Sequence, residues 1–246
     1  ETALCTAGCM PQHALLTPQN GFAPTDALLE AVQSDTEIVF LCNPNNPTGK
    51  VAPRAFVEAL LARCEQVGAR LFVDECFADL TQEKGNFSVV DMVQEHPALF
   101  VLKAFTKTYA MAGLRLGYAL CADERLLRRM AELTQPWNIS IPAQAAGVAA
   151  LAPSDYLERS RAYIARERAY LQAGLTACGL PCLDSSANFL LLCSEQPLYA
   201  RLLDRGVLIR SCADFTGLDA RYCRIAVRTH VENERLIYVL KEALNG

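Results

Sequence analysis

Lys107 follows Thr106 at the end of Lys103-Ala104-Phe105-Thr106-Lys107, directly after an apolar run, 99–102, that reads as a strand. Arg115 comes eight residues later, in Ala112-Gly113-Leu114-Arg115-Leu116-Gly117-Tyr118, a distance over which a short loop folds back. An amine can capture an aldehyde covalently, while a hydroxyl and a guanidinium bind phosphate oxygens. Together the three groups suit a phosphorylated aldehyde. The chain holds five lysines against eighteen arginines. A lysine flanked by Phe105 and Tyr109 is therefore poorly explained as a solubilising surface charge.

Two further segments complete the set. Asn43-Pro44-Asn45-Asn46-Pro47-Thr48-Gly49 closes the apolar run 38–42, and Asp74-Glu75 closes the run 71–73. Three strands thus deliver polar residues at their C-terminal ends, the edge at which open α/β sheets bind ligands.

In this order the motifs resemble the fold-type-I pyridoxal-phosphate enzymes, in the histidinol-phosphate aminotransferase and threonine-phosphate decarboxylase group. The resemblance runs over nearly the whole chain and includes Pro136-Trp137-Asn138, Ala187-Asn188-Phe189 and Arg224-Ile225-Ala226-Val227-Arg228-Thr229. It implies an α/β fold with a mostly parallel sheet in a large domain, 1–150, and a small α+β C-terminal domain, 151–246. It also implies pyridoxal 5′-phosphate as cofactor and a homodimer with the active site at the subunit interface. The group carries, upstream of the residue matching Glu1, a glycine-containing turn and a first strand. The expectation is that this chain is the C-terminal portion of a longer enzyme.

The resemblance also implies roles. Lys107 is the catalytic amine, expected to be buried. Thr106 and Arg115 grip the phosphate, Asp74 pairs with the ring nitrogen, and Asn46 bonds the ring's 3-oxygen. Asn43 and Asn45 read as turn residues. Phe77 stands where the aminotransferases usually carry Tyr, and the decarboxylases are closer at that point. Arg224 matches the carboxylate-binding arginine, and Arg228 is a second substrate cation that the decarboxylases tend to share. If the strand continues, 224, 226 and 228 lie on one face and suit a substrate with two anionic groups. Arg228 also reads as a rim arginine paired with Glu232 or Glu234. Asn138 and Asn188 are candidate substrate contacts or backbone-satisfying amides.

Three readings of function follow. The first is decarboxylation of L-threonine O-3-phosphate, a cobalamin-side-chain step. The second is an aminotransferase for histidinol phosphate or an aromatic amino acid. The third is an inactive C-terminal fragment of such an enzyme.

The elements that position these residues alternate. A helix is expected over 24–32, a strand over 38–42, a helix from 53 to 68, and strands over 70–74, 99–103 and 114–121. Near-continuous apolar strands in βα alternation imply a mostly parallel sheet covered on both faces. Beyond residue 135 come a proline-punctuated helical stretch and a long charged helix over 154–178. Strands are expected over 188–193, 207–210 and 222–227, with helices over 198–203 and from about 232.

The bulk numbers are compatible with this. With 246 residues, 52% hydrophobic, the chain can bury a large core. A net charge of −4 gives no electrostatic reason to expect nucleic acid. No apolar run approaches about 18 residues, so no membrane span is expected. Eleven scattered cysteines without a C-x-x-C, beside three histidines, suggest buried reduced thiols in a cytoplasmic protein and no metal site.

Overall fold

The computed structural model describes residues 1–82 and 87–245. Two short helices, α1 (Thr2–Thr6) and α2 (Asp26–Ala31), precede a four-stranded sheet. Its strands are β1 (Ile38–Cys42), β2 (Arg70–Asp74), β3 (Leu99–Ala104) and β4 (Gly117–Cys121), in that spatial order. The first three run parallel and β4 joins antiparallel at the edge. Between β1 and β2 lies α3 (Arg54–Val67), whose Val57, Leu60, Leu61 and Cys64 are buried against Val39, Leu71, Val73, Leu99 and Val101. Gly68, at φ 79°, ends α3 in the left-handed conformation that glycine adopts without strain. Burying leucines this fully stabilises by about 1.5–3 kcal/mol each. The opposite face carries Phe40, Phe72 and Phe100 in a row, with ring centroids 5.0 and 4.5 Å apart. That face ends at Cys42 and Asp74, which are register partners.

After β3 come α4 (Phe105–Thr108), then α5 (Glu124–Leu133), α6 (Ile141–Ala150) and α7 (Tyr156–Ala177). A second, antiparallel sheet follows, built from β5 (Phe189–Cys193), β6 (Arg210–Ser211) and β7 (Tyr222–Ala226) in the order β5-β7-β6. The helices α8 (Leu198–Leu203) and α9 (His230–Asn245) complete the chain. Leu171 and Leu175 of α7, Leu198 and Leu202 of α8, and Leu236, Ile237 and Leu240 of α9 form a core with Leu190, Leu192 and Ile225.

Several elements depart from the sequence expectation. The strand expected over 114–121 begins at Gly117, because Arg115 stands at φ 56° and turns the chain. The strand expected over 207–210 is only Arg210–Ser211, since Gly206 (φ 72°) makes a turn just before it. Helix α5 was not expected. Asp123 caps it by accepting from Leu126 N–H at 3.0 Å, a local signal that its charged sequence obscured. The N-terminal stretch does not simply join the first sheet, as Phe22 packs with Leu191 and Cys212 of the second region. The cysteines are less buried than expected. Cys64, Cys212 and Cys223 are buried, Cys5 is exposed and the remainder are half-buried, all as free thiols. No helix among the described residues is long and apolar enough to cross a membrane. No group of His, Cys, Asp and Glu among them could hold a metal ion.

Candidate active site

The lysine turn is a loop between two antiparallel strands. Beyond the register pair Ala104 and Gly117, Phe105 N–H donates to Leu116 carbonyl at 3.1 Å. That bond closes the loop, with Thr106 on one limb and Arg115 on the other. Gly117 is required there, because a Cβ would stand 2.9 Å from the Lys103 carbonyl oxygen. Ala110 and Arg115 both sit near φ 56°, a strain of about 1–3 kcal/mol each for residues with a side chain. Arg115 donates one bond to Ala112 carbonyl at 3.2 Å and is otherwise open to solvent.

Lys107 is exposed, not buried as expected. Helix α4 is a single turn at the end of β3; it turns Phe105 and Thr108 inward and leaves Lys107 outside. The ammonium lies 5.7 Å from the centroid of the Phe77 ring. Phe105 stacks on Tyr109 at 5.2 Å, which anchors the turn from below.

Asp74 closes β2 at the same edge and is half-buried. Its Oδ1 accepts from Cys76 N–H at 2.9 Å, which fixes the turn toward Phe77. Burial, reinforced by the Asp74 carboxylate, pushes the Cys76 thiol up to about 12, while Lys107 pulls it the other way. Cys76 thus lies within the fields of both the acid and the amine. Burial and Asp74 likewise push the Cys42 thiol up to about 12. The carboxylate is therefore flanked by two neutral thiols.

The Asn-rich turn forms the opposite wall. Asn43 holds both backbone groups of Ala52, and Asn45 accepts from the Thr48 hydroxyl at 2.8 Å, so both are turn residues. Asn46 remains for other work: its Oδ1 accepts from the Arg224 guanidinium. Gly49 docks the turn on the second region, since a Cβ there would overlap the Ser185 side chain. Ser186 N–H donates to Gly49 carbonyl at 2.9 Å. Arg224, on β7, lies over the Phe189 ring at 5.2 Å, and Phe189 meets Phe77 edge-on at 5.1 Å. Burial holds the Arg224 guanidinium below the ordinary arginine value, with Arg210 adding repulsion. Contacts therefore run unbroken from Lys107 through Phe77, Phe189 and Arg224 to Asn46.

Two expected residues are not brought in. Strand β7 ends at Ala226, so Arg228 does not continue its face. Its guanidinium binds Glu232 at 2.6 Å, while Thr229 N–H and hydroxyl also donate to Glu232, at 3.2 and 2.5 Å. This is a capping box at the start of α9, and it holds Arg228 at the rim. Asn138 lies in an exposed stretch, and no contact ties it to the site among the described residues. Sequence reasoning missed Arg210, the cross-strand register partner of Arg224. Opposed residues in an antiparallel pair share a face, and the Arg210 guanidinium lies over the Phe215 ring at 5.7 Å. Arg210 is balanced by Asp214 at 2.5 Å. Phe189 was missed as a wall; its place after Asn188 at the start of β5 was the available signal.

The donor set fits a phosphorylated aldehyde on a heteroaromatic ring. One amine, one carboxylate at a strand end, and a hydroxyl with a guanidinium on one loop provide the three contacts such a group requires. Asn188 Oδ1, next to the wall residue Phe189, and Thr108 Oγ1, turned inward after Lys107, are buried without a hydrogen-bond partner. An unpartnered amide oxygen beside Phe189 is compatible with a polar ligand at that wall.

The family model for aminotransferase class I and II matches residues 3–240. Threonine-phosphate decarboxylase of Salmonella typhimurium is 38% identical over 99% of this chain, which spans 68% of that protein. Histidinol-phosphate aminotransferase of Clostridium acetobutylicum superposes with a TM-score of 0.92 at 26% identity, over 99% of this chain and 74% of that one. Histidinol-phosphate aminotransferase of Sinorhizobium meliloti, solved with pyridoxal 5′-phosphate, superposes with a TM-score of 0.79 at 25% identity, over 88% of this chain and 60% of that one. The cofactor of such enzymes is pyridoxal 5′-phosphate.

Proposed function

Because this chain belongs to the aminotransferase class I and II family, we propose that it carries the cofactor and substrate groups of an enzyme that decarboxylates L-threonine O-3-phosphate. The observation that supports this most is the continuous set of contacts from Lys107 through Phe77, Phe189 and Arg224 to Asn46. It joins the amine of one lobe to the cation of the other. We place the lobe boundary near residue 150, between α6 and α7.

Pyridoxal phosphate, when bound, supplies a sink for the electron pair released at the substrate α-carbon. Lys107 would hold the aldehyde and could move a proton at that carbon. Thr106 and Arg115 hold the phosphate from the two limbs of their loop. Asp74 would keep a proton on the ring nitrogen, and Asn46 would hold the 3-oxygen. Phe77 packs on the ring without donating a hydrogen bond, a feature nearer the decarboxylases. Arg224, with Arg210 opposite it across β6 and β7, would suit a substrate with a carboxylate and a second anion. Which bond breaks depends on the angle at which these cations hold the carboxylate.

The transaminase reading draws on the close superposition with a histidinol-phosphate aminotransferase. Incubation with threonine phosphate separates the two. Carbon dioxide release without a 2-oxo acid supports the decarboxylase. Strict dependence on 2-oxoglutarate supports the transaminase. Turnover of neither, with cofactor still bound, supports a binding-competent but inactive fragment. The chain covers 68% of its decarboxylase relative. We further propose a cytoplasmic homodimer serving a cobalamin-side-chain step. The exposed apolar residues Leu133, Trp137, Ile141 and Val148 support the dimer.

A further inference from the structure

On the face of the first sheet turned away from Asp74 lies a buried charge cluster that no step above uses. Glu75 is fully buried. Its carboxylate accepts from the Ser88 hydroxyl at 2.7 Å and from Val89 N–H at 2.9 Å. Lys103 bridges Glu75 at 3.0 Å and Asp79 at 3.1 Å. Asp79 carbonyl in turn accepts from Arg161 of α7 at 2.7 Å.

We propose that Glu75 and Lys103 are a positioning pair that fixes the separation of Asp74 from Lys107. This rests on the functional reading above. Asp74 and Leu102 are the last register partners of β2 and β3. Past them, Glu75 N–H donates to Leu102 carbonyl at 3.0 Å, and the ion pair follows at once. Glu75 is the residue after the acid, and Lys103 stands four before the amine. Without the pair, the two strand ends that carry Asp74 and Lys107 are free to splay. A cleft of about 370 Å³ opens beside Asp79, Lys103, Tyr118 and Arg161. Burial alone would depress the Lys103 ammonium, but Glu75 and Asp79 overcome this and hold it above the ordinary lysine value. Successive residues alternate faces, so Lys103 points away from the face of Leu102 and Asp74 and does not reach the cofactor. Its influence is transmitted through backbone.

Stability and positioning can be separated. Removing one partner of a buried pair strands a charge, whereas neutralising both often costs little stability. Glu75→Gln, Lys103→Met and the double variant are compared with the unaltered chain. Thermal unfolding is followed without cofactor, and pyridoxal-phosphate affinity and the pH titration of the lysine-bound visible band are measured with it. Each single variant is expected to weaken cofactor binding about tenfold or more, as outer-shell partners typically do, and to move the titration. The double variant is expected to regain much of the unfolding midpoint while affinity and titration stay displaced. A double variant that regains all three, or singles that move only the midpoint, overturns the proposal. If the buried variants do not fold, Asp79→Asn at its half-exposed position decides. It is expected to move the titration the same way by less, and no movement overturns the proposal. An unaltered chain that never forms the lysine-bound band overturns the functional reading itself, and the positioning role with it.

Discussion

At the level of single residues, Arg224 ties the second region to the Asn46 turn. It touches Asn46 on one side and the Phe189 ring on the other, and Arg210 is its cross-strand partner. A planar fork is needed to meet a carboxylate with two parallel bonds, and an ammonium cannot reproduce it. Arg224→Lys is therefore expected to raise substrate KM by about 10- to 100-fold, the loss of one charge-assisted bond of about 1.5–3 kcal/mol, with cofactor affinity little changed. Steady-state kinetics beside a cofactor titration would check this, and an unchanged KM would remove Arg224 from the substrate site. Arg228 is the contrasting case. It was expected beside Arg224 but is held by Glu232. Arg228→Ala should leave KM within about twofold and lower the unfolding midpoint modestly, since a partly exposed ion pair is worth about 0.2–1 kcal/mol. A large rise in KM would return Arg228 to the substrate.

At the level of elements, loops at strand ends do the positioning. The placement of Lys107 and Arg115 on one loop was legible in sequence because only eight residues separate them. Asp74 is legible as a carboxylate closing an apolar strand. Arg210 was not legible: its partnership with Arg224 depends on which residues pair across β6 and β7, fourteen positions apart in the chain. Of the two readings of Arg228, the structure draws the rim pair with Glu232, because helical capping ended the strand early. Thr229 and Glu232 stop β7 at Ala226 and start α9 at His230. The same cap carries a pH signature. Arg228, with the hydroxyl and N–H of Thr229, holds the Glu232 carboxyl at about 2, against 4.5 ordinarily. A depressed carboxyl stabilises the fold above its unfolded value and loses that contribution as pH falls through the folded one. The loss should therefore run from about pH 4.5 down to about pH 2. Glu232→Gln should be less stable than the unaltered chain at pH 7, and the difference should shrink across that window. Unfolding midpoints measured along a pH series would show it; a constant difference would contradict it.

At the level of the molecule, two sheets meet where the Asn46 turn docks on the second region through Gly49 and Ser186. The alternation of strands and helices was legible from apolar runs, as was the change of character after residue 135. Their docking was not, because it depends on one glycine and one arginine far apart in sequence. One surface stays apolar. Leu133 is 76% exposed, Trp137 97% and Ile141 82%, in neighbouring parts of α5, α6 and their connection. Exposed apolar groups this close together favour a protein partner, and the homodimer reading makes that partner a second copy. Leu133→Glu with Ile141→Glu is expected to shift sedimentation toward the monomer without changing far-ultraviolet circular dichroism. A monomeric unaltered chain would refute the dimer.

Borohydride reduction of the chain with pyridoxal phosphate, followed by peptide mapping, asks most directly whether one amine captures the aldehyde. The chain offers Lys50, Lys84, Lys103, Lys107 and Lys241. Modification confined to the peptide carrying Lys107, and abolished in Lys107→Ala, is the expected result. Modification spread among the lysines, or centred on another one, would contradict the account of this site.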